Sequence, residues 1–186
     1  TNLNRQFIHQ TSGLRTSKAN SAEDFIHQLN PYISVTCQQV RFDEQNAHTL
    51  TSGHDLVIDC TDNPETRYLV NTVCQKLGTP LIFGGAVRSD GQITSFVPND
   101  PDSPCLRCIF PHTNLDYDQA PNCSNSGILG STTIVIGGLQ AAEALKIIAG
   151  FGTPLIGRLL LFDGLANHFT EIEVAPDPAC PICGKG

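Results

Sequence analysis

A chain of 186 residues with 40% hydrophobic and 16% charged content reads as folded and single-cored rather than disordered, and is too short for two ordinary domains. Eighteen acidic residues against eleven basic ones give a net charge of −7, which argues against a broad nucleic-acid footprint but leaves room for a local phosphate-binding patch. No apolar run approaches the roughly 20 residues that span a bilayer, and no signal-peptide pattern opens the chain, so no membrane association is expected and cytoplasm is the default.

The first half alternates helix and strand. Residues 17–29 predict a helix with Ala22, Phe25, Ile26 and Leu29 on one face, ended by Asn30-Pro31. Residues 33–40 predict a strand and 43–51 a short helix. Leu56-Val57-Ile58-Asp59-Cys60 has the look of a buried parallel strand. Asn63 then stands as N-cap and Pro64 at the first position of a helix whose apolar residues run to Leu77, where Gly78 stops it. Residues 80–84 form the next buried strand, and residues 92–97 a strand beside it across the turn Arg88–Gly91. Residues 98–130 are rich in Pro, Asn, Asp, Ser and Gly, a length of loop that is usually functional or disordered. Residues 134–149 predict a helix apolar on most sides, hence buried, with Gly150 as its cap. Residues 158–162 and 168–174 make a hairpin that delivers the last two cysteines. The expected architecture is α/β: a Rossmann-like, doubly wound, mostly parallel sheet with a carboxyl-terminal antiparallel part.

Two C-x-x-C units, Cys105-Leu-Arg-Cys108 and Cys180-Pro-Ile-Cys183, have the ligand spacing of a closed four-thiolate zinc site. Each two-residue spacer lets one turn aim two sulfurs at one ion. Two separate thiol/disulfide pairs or four unrelated thiols are the bland alternatives, but the second pair sits among Pro176, Pro178, Pro181 and Gly184 rather than at a helix start after a strand. Eight cysteines without a secretory segment fit a reducing compartment. The six histidines show no ligand spacing, and His112 is read as bland beside a filled site.

In an open α/β sheet, ligands bind beyond the carboxyl ends of the strands. Asp62 lies there, before a helix N-terminus, and reads either as a metal- or phosphate-site residue or as a simple cap. Arg5 and Lys18 are each a phosphate partner or a solvated charge. Cys123, in the polar loop and outside both pairs, is a nucleophile candidate or an idle thiol, while Cys37, Cys60 and Cys74 read as core filler.

Thr1-Asn2-Leu3-Asn4-Arg5-Gln6, the lysine segment Thr16-Ser17-Lys18-Ala19, Asp59-Cys60-Thr61-Asp62-Asn63, both cysteine pairs, Asn122-Cys123 with Ser126–Gly130, and Leu139–Lys146 together resemble the family of ThiF and MoeB, relatives of the ubiquitin-activating enzymes. The resemblance covers essentially the whole chain. It implies an ATP-dependent adenylyltransferase that activates the C-terminal glycine carboxylate of a ubiquitin-like sulfur-carrier protein, in thiamin or molybdopterin synthesis. It implies that Asp62 holds Mg2+, that Asn2, Arg5 and Lys18 hold the triphosphate, and that Gln6 and Asn63 belong to the same nucleotide site. Cys123 matches the loop cysteine that ThiF uses in sulfur transfer. A sulfur donor protein and a homodimer are the implied partners. Asn122-Cys123 and Leu161–Gly164 lean toward the thiazole branch.

The family's glycine-rich nucleotide loop is not found, and Gly84-Gly85 and Gly137-Gly138 do not replace it. With a motif at residue 1 and no methionine, the expectation is one adenylation domain over residues 1–186, truncated at its amino terminus and inactive alone. Two rivals stand beside this reading: a nucleotide-dependent oxidoreductase on the same fold, and a zinc-stabilised domain that only binds a partner.

Overall fold

Adjacent residues of one strand divide the core between two helices. In the computed structural model, which describes residues 2–111 and 127–184, strand β2 (Leu81–Val87) is buried from Leu81 to Gly85. Leu81 and Phe83 join Val70, Cys74, Phe96 and Leu106 on one side, while Ile82 joins Ile93, Ala144 and Leu155 on the other. This is the period-2 alternation of a strand covered on both faces. Each Val, Leu, Ile or Phe among them contributes about 1.5–3 kcal/mol by leaving water.

The sheet has the order β1-β2-β3-β4-β5. Strand β1 (Val57–Asp59) runs parallel to β2. Strands β3 (Asp90–Phe96), β4 (Arg158–Asp163) and β5 (His168–Glu173) follow in antiparallel pairing. The sheet is therefore mixed: its parallel part is the β1–β2 pair, and the antiparallel extension is the one read from the sequence. The β2–β3 hairpin turns on Arg88 and Ser89, with Val87 opposite Asp90 and Arg88 in the left-handed region at φ 54°.

Helix α3 (Pro64–Leu77) forms as its local signals dictate. Asn63 accepts the Thr66 N–H, Pro64 occupies the first turn, and Gly78 ends the helix at φ 71°. Helix α1 (Lys18–Leu29) is capped by Ser17, whose side chain accepts the Asn20 N–H. Helix α4 (Leu106–Ile109) is one short turn, and helix α5 (Gly130–Ala149) covers the second sheet face. Two compact units are present, residues 1–41 and 42–186, and the sheet belongs wholly to the second.

Three expectations change. Residues 33–40 carry no strand. A strand needs a ladder partner, and none of the five described strands pairs with this segment. Residues 43–46 form a turn, because the Asp43 carboxylate accepts the N–H groups of Gln45 and Asn46, and helix α2 is left with Ala47–Thr51. Helix α5 is not buried on most sides: Ile134, Leu145 and Ile148 are 54%, 59% and 63% exposed. It is also long and apolar enough, at 20 residues and a mean hydropathy of 1.3, to meet the length and composition of a membrane span. Its inward face explains it otherwise. Gln140 and Glu143 are buried there and hydrogen-bonded to the sheet and the 153–155 segment, which marks a core-covering helix.

Candidate functional site

The segment joining β1 to α3 stands at the carboxyl end of β1 and is fixed by interlocking hydrogen bonds. Asp59 is buried, and its carboxylate accepts the Thr61 N–H at 2.8 Å and hydroxyl at 2.7 Å. The Asp59 carbonyl accepts Nε2 of Gln140 at 2.9 Å, which ties the strand end to α5. Arg67, one turn into α3, donates Nη2 and Nε to the Thr61 carbonyl at 2.6 and 3.2 Å. Asn63 is taken up by capping α3. Asp62 is exposed and its side chain makes no hydrogen bond or ion pair among the described residues. The cap is therefore Asn63, and Asp62 is a carboxylate presented to solvent at a helix N-terminus, where the backbone supplies a partial positive field.

Cys60, expected in the core, is exposed instead. It follows the last residue of β1, outside the ladder, and its sulfur faces α5, where the thiol reaches Gln140 Oε1 at 3.9 Å. Its thiol is pushed up by burial of the sulfur and by Asp59, against a smaller opposing pull from Arg67. Cys74 is core, as expected, and its thiol is pushed up to about 12 by burial and then by Asp59. Cys37 is half-buried and donates to the Ala19 carbonyl at 3.1 Å.

In the amino-terminal unit, Asn2, Gln6, His9, Arg15, Lys18 and Ser21 line a cleft of about 200 Å³. It brings together three of the residues expected at a nucleotide: Asn2, Gln6 and Lys18. Arg5 does not line it; its Nη2 and Nη1 are held by the side-chain carbonyls of Asn2 and Asn4 at 2.8 and 3.1 Å. Lys18 is the first residue of α1, a position where the helix field opposes a cation and favours an anion beside it. Cys123 lies outside the described residues.

The four paired cysteines converge. The sulfurs of Cys105, Cys108, Cys180 and Cys183 all lie within 4.8 Å of one another. Individual separations are 3.7 Å for Cys105–Cys180, 4.0 Å for Cys105–Cys108 and 3.3 Å for Cys108–Cys183. A tetrahedral ion with metal–sulfur bonds of about 2.3 Å requires sulfurs roughly 3.8 Å apart, so the donors fit zinc and leave no ligand position open. The thiols are free rather than bridged. The first turn is closed by the Cys108 N–H on the Cys105 carbonyl, the second by the Gly184 N–H on the Cys180 carbonyl, and the Asp177 N–H reaches Cys108 Sγ at 3.4 Å. Burial pushes the Cys105 thiol up to about 11. Burial also opposes ionisation of Cys180, yet backbone N–H groups of Cys183 and Ile182 prevail and hold it down at about 7, which favours a thiolate ligand.

Sequence reasoning overlooked the residues that tie these parts together. Asn71 Oδ1 accepts the Leu106 N–H at 2.9 Å, and Tyr68 donates to the Phe110 carbonyl at 2.7 Å. Arg107 lies over the Tyr68 ring at 4.5 Å. Helix α3 thus bears Asp62's loop at one end and packs its middle on the cysteine turn. Only the spacing of polar residues along α3 hints at this, and that pattern is also compatible with a solvated face.

Known proteins agree with this frame. SAMP-activating enzyme E1 of Haloferax volcanii is 40% identical over 185 residues, covering 100% of this chain and 67% of that protein. The sulfur carrier protein adenylyltransferase of Thermus thermophilus is 40% identical over 186 residues, covering 98% of this chain and 68% of that protein. The crystal structure of E. coli MccB with ATP superposes with a TM-score of 0.83 at 20% identity, over 98% of this chain and 55% of that one, a likeness of fold. The family model described as "ThiF family" matches residues 1–182. With motifs, fold and family model in register over nearly its whole length, the chain belongs to the ThiF family.

Proposed function

We propose that the protein adenylates the C-terminal glycine carboxylate of a ubiquitin-like sulfur carrier, of the kind used in thiamin or molybdopterin synthesis. The carboxylate attacks the α-phosphorus of ATP, the bond to the bridging oxygen breaks, and pyrophosphate leaves with its electron pair, giving an acyl-adenylate. The observation that carries this reading is Asp62: exposed and unpartnered among the described residues, while every neighbour in its loop is committed to holding the loop. Bound there, Mg2+ would neutralise phosphate charge in the transition state. Asn2, Gln6 and Lys18, which share a cleft, are the proposed triphosphate contacts, joined by Arg5. Asn63 is proposed to belong to the nucleotide site through its place beside Asp62. The relative named sulfur carrier protein adenylyltransferase supports the substrate class, and the one named SAMP-activating enzyme E1 supports an activating role.

Cys123 is proposed to serve the subsequent sulfur transfer from a donor protein. We also propose a homodimer, supported by the uncharged outer stripe of α5 with Ile134, Leu145 and Ile148, extended by Phe151. The zinc-ready cysteine site, and the absence of any disulfide among the described residues, support a reducing, cytoplasmic setting.

The test is ATP–pyrophosphate exchange by the full-length protein with its carrier. Asp62→Asn should lower exchange by about 100-fold or more while leaving the melting temperature unchanged. Asn63→Ala should lower exchange as well and, unlike Asp62→Asn, also cost about 1 kcal/mol of stability through the lost cap. Carrier binding with no exchange, indifferent to Asp62, would favour the partner-binding alternative.

A further inference from the structure

The Thr61 residue is gripped on both sides of its backbone. Its N–H and hydroxyl are given to Asp59, and its carbonyl accepts two N–H groups of Arg67, at 2.6 and 3.2 Å. The guanidinium is itself held in place: it lies over the Phe83 ring at 4.8 Å from the centroid, and Phe83 is buried in the core. Gly85 leaves the room it needs, since a Cβ there would stand 3.1 Å from Nη1. On the other side of Asp62, Asn63 is locked by capping Thr66. The peptide that carries Asp62 therefore runs from a clamped carbonyl to a capped helix, and rotation of that peptide would swing the carboxylate away.

We propose that Arg67 is a positioning residue for Asp62, acting through the Thr61 carbonyl. This rests on the reading of Asp62 as the carboxylate that serves the nucleotide. A planar fork suits that role, because two N–H groups converge on one oxygen while the face stacks on an aromatic ring. A lysine ammonium can reach the carbonyl and interact with Phe83 but cannot fix the plane. Supporting groups of this kind commonly change metal affinity or activity by about 10- to 100-fold when removed.

The experiment uses the full-length, zinc-loaded protein with Arg67→Lys and Arg67→Leu, the former retaining charge over Phe83 in case the latter folds poorly. Two quantities are read: amide hydrogen exchange at residues 61–63, and the Mg2+ concentration for half-maximal ATP–pyrophosphate exchange with carrier. Arg67→Leu should speed amide exchange at 61–63 and raise the Mg2+ requirement by about 10-fold or more, with Arg67→Lys in between. A purely structural role would lower activity only in proportion to the folded fraction, at an unchanged Mg2+ requirement, and that result overturns the proposal. So does unchanged protection at 61–63 in both variants. Asp62→Asn separates the two levels: wild-type ATP–pyrophosphate exchange in that variant rejects the reading of Asp62 as the carboxylate that serves the nucleotide, while the hydrogen-exchange data still decide whether Arg67 orders the loop.

Discussion

Asn71, in the middle of α3 and fully buried, accepts the backbone N–H of Leu106 inside the first cysteine turn, at 2.9 Å. One hydrogen bond thereby links the helix that starts at the candidate site to the turn that starts the four-cysteine cluster. The cysteines tie the tail hairpin to residues 105–108, and Asn71 carries that tie onward to α3.

Replacing Asn71 with Ala should leave the Leu106 N–H buried without a partner. The expected cost is about 1–3 kcal/mol in denaturant unfolding, with weaker zinc retention in a competition titration. Wild-type stability with wild-type zinc affinity would deny the link any energetic weight.

Metal removal should act more strongly. Structural zinc contributes on the order of 10 kcal/mol to ordering small sites. Chelation, or Cys183→Ser, should loosen the segment 157–184 and the turn at 105–108, seen as lost amide protection there and a lower melting temperature. An unchanged melting profile after verified demetallation would refute a scaffolding role.

Gly84 is required by its neighbour rather than by its backbone. A Cβ at this position would stand 2.7 Å from Oε1 of Gln140, the side chain that donates to the Asp59 carbonyl. Gly84→Ala should cost about 1–3 kcal/mol through overpacking and a displaced Gln140. In a double-mutant cycle with Gln140→Ala the two losses should be less than additive. Strict additivity would mean the side chains do not meet.

The outer stripe of α5 predicts association. Leu145 is 59% exposed on an uncharged helix face, so Leu145→Glu should shift a dimer to monomer in sedimentation without lowering the melting temperature of the monomer. A wild-type protein that sediments as a monomer across the micromolar range would mean that this face does not drive dimerisation.

Much of this protein is decided locally and is legible in the order of its residues. Asn63, Pro64 and Gly78 bound α3 because caps act over a few residues. The two C-x-x-C spacings announce a tetrahedral thiolate site because a turn geometry is written in two residues. The apolar run of β2 marks a buried strand because it needs cover on both faces, whereas β1, read the same way, pairs parallel with β2 but leaves Ile58 42% exposed. What failed, or could not be seen, depends on partners distant in sequence. Residues 33–40 have strand composition but no ladder, and α5 is apolar all round yet buries one face alone. The grip of Arg67 on Thr61, the bond from Asn71 to Leu106 and the exposure of Asp62 arise only when strand, helix and cysteine turn are packed together. Hydrogen bonds and burial are properties of pairs and layers, and the tertiary structure alone chooses those pairs.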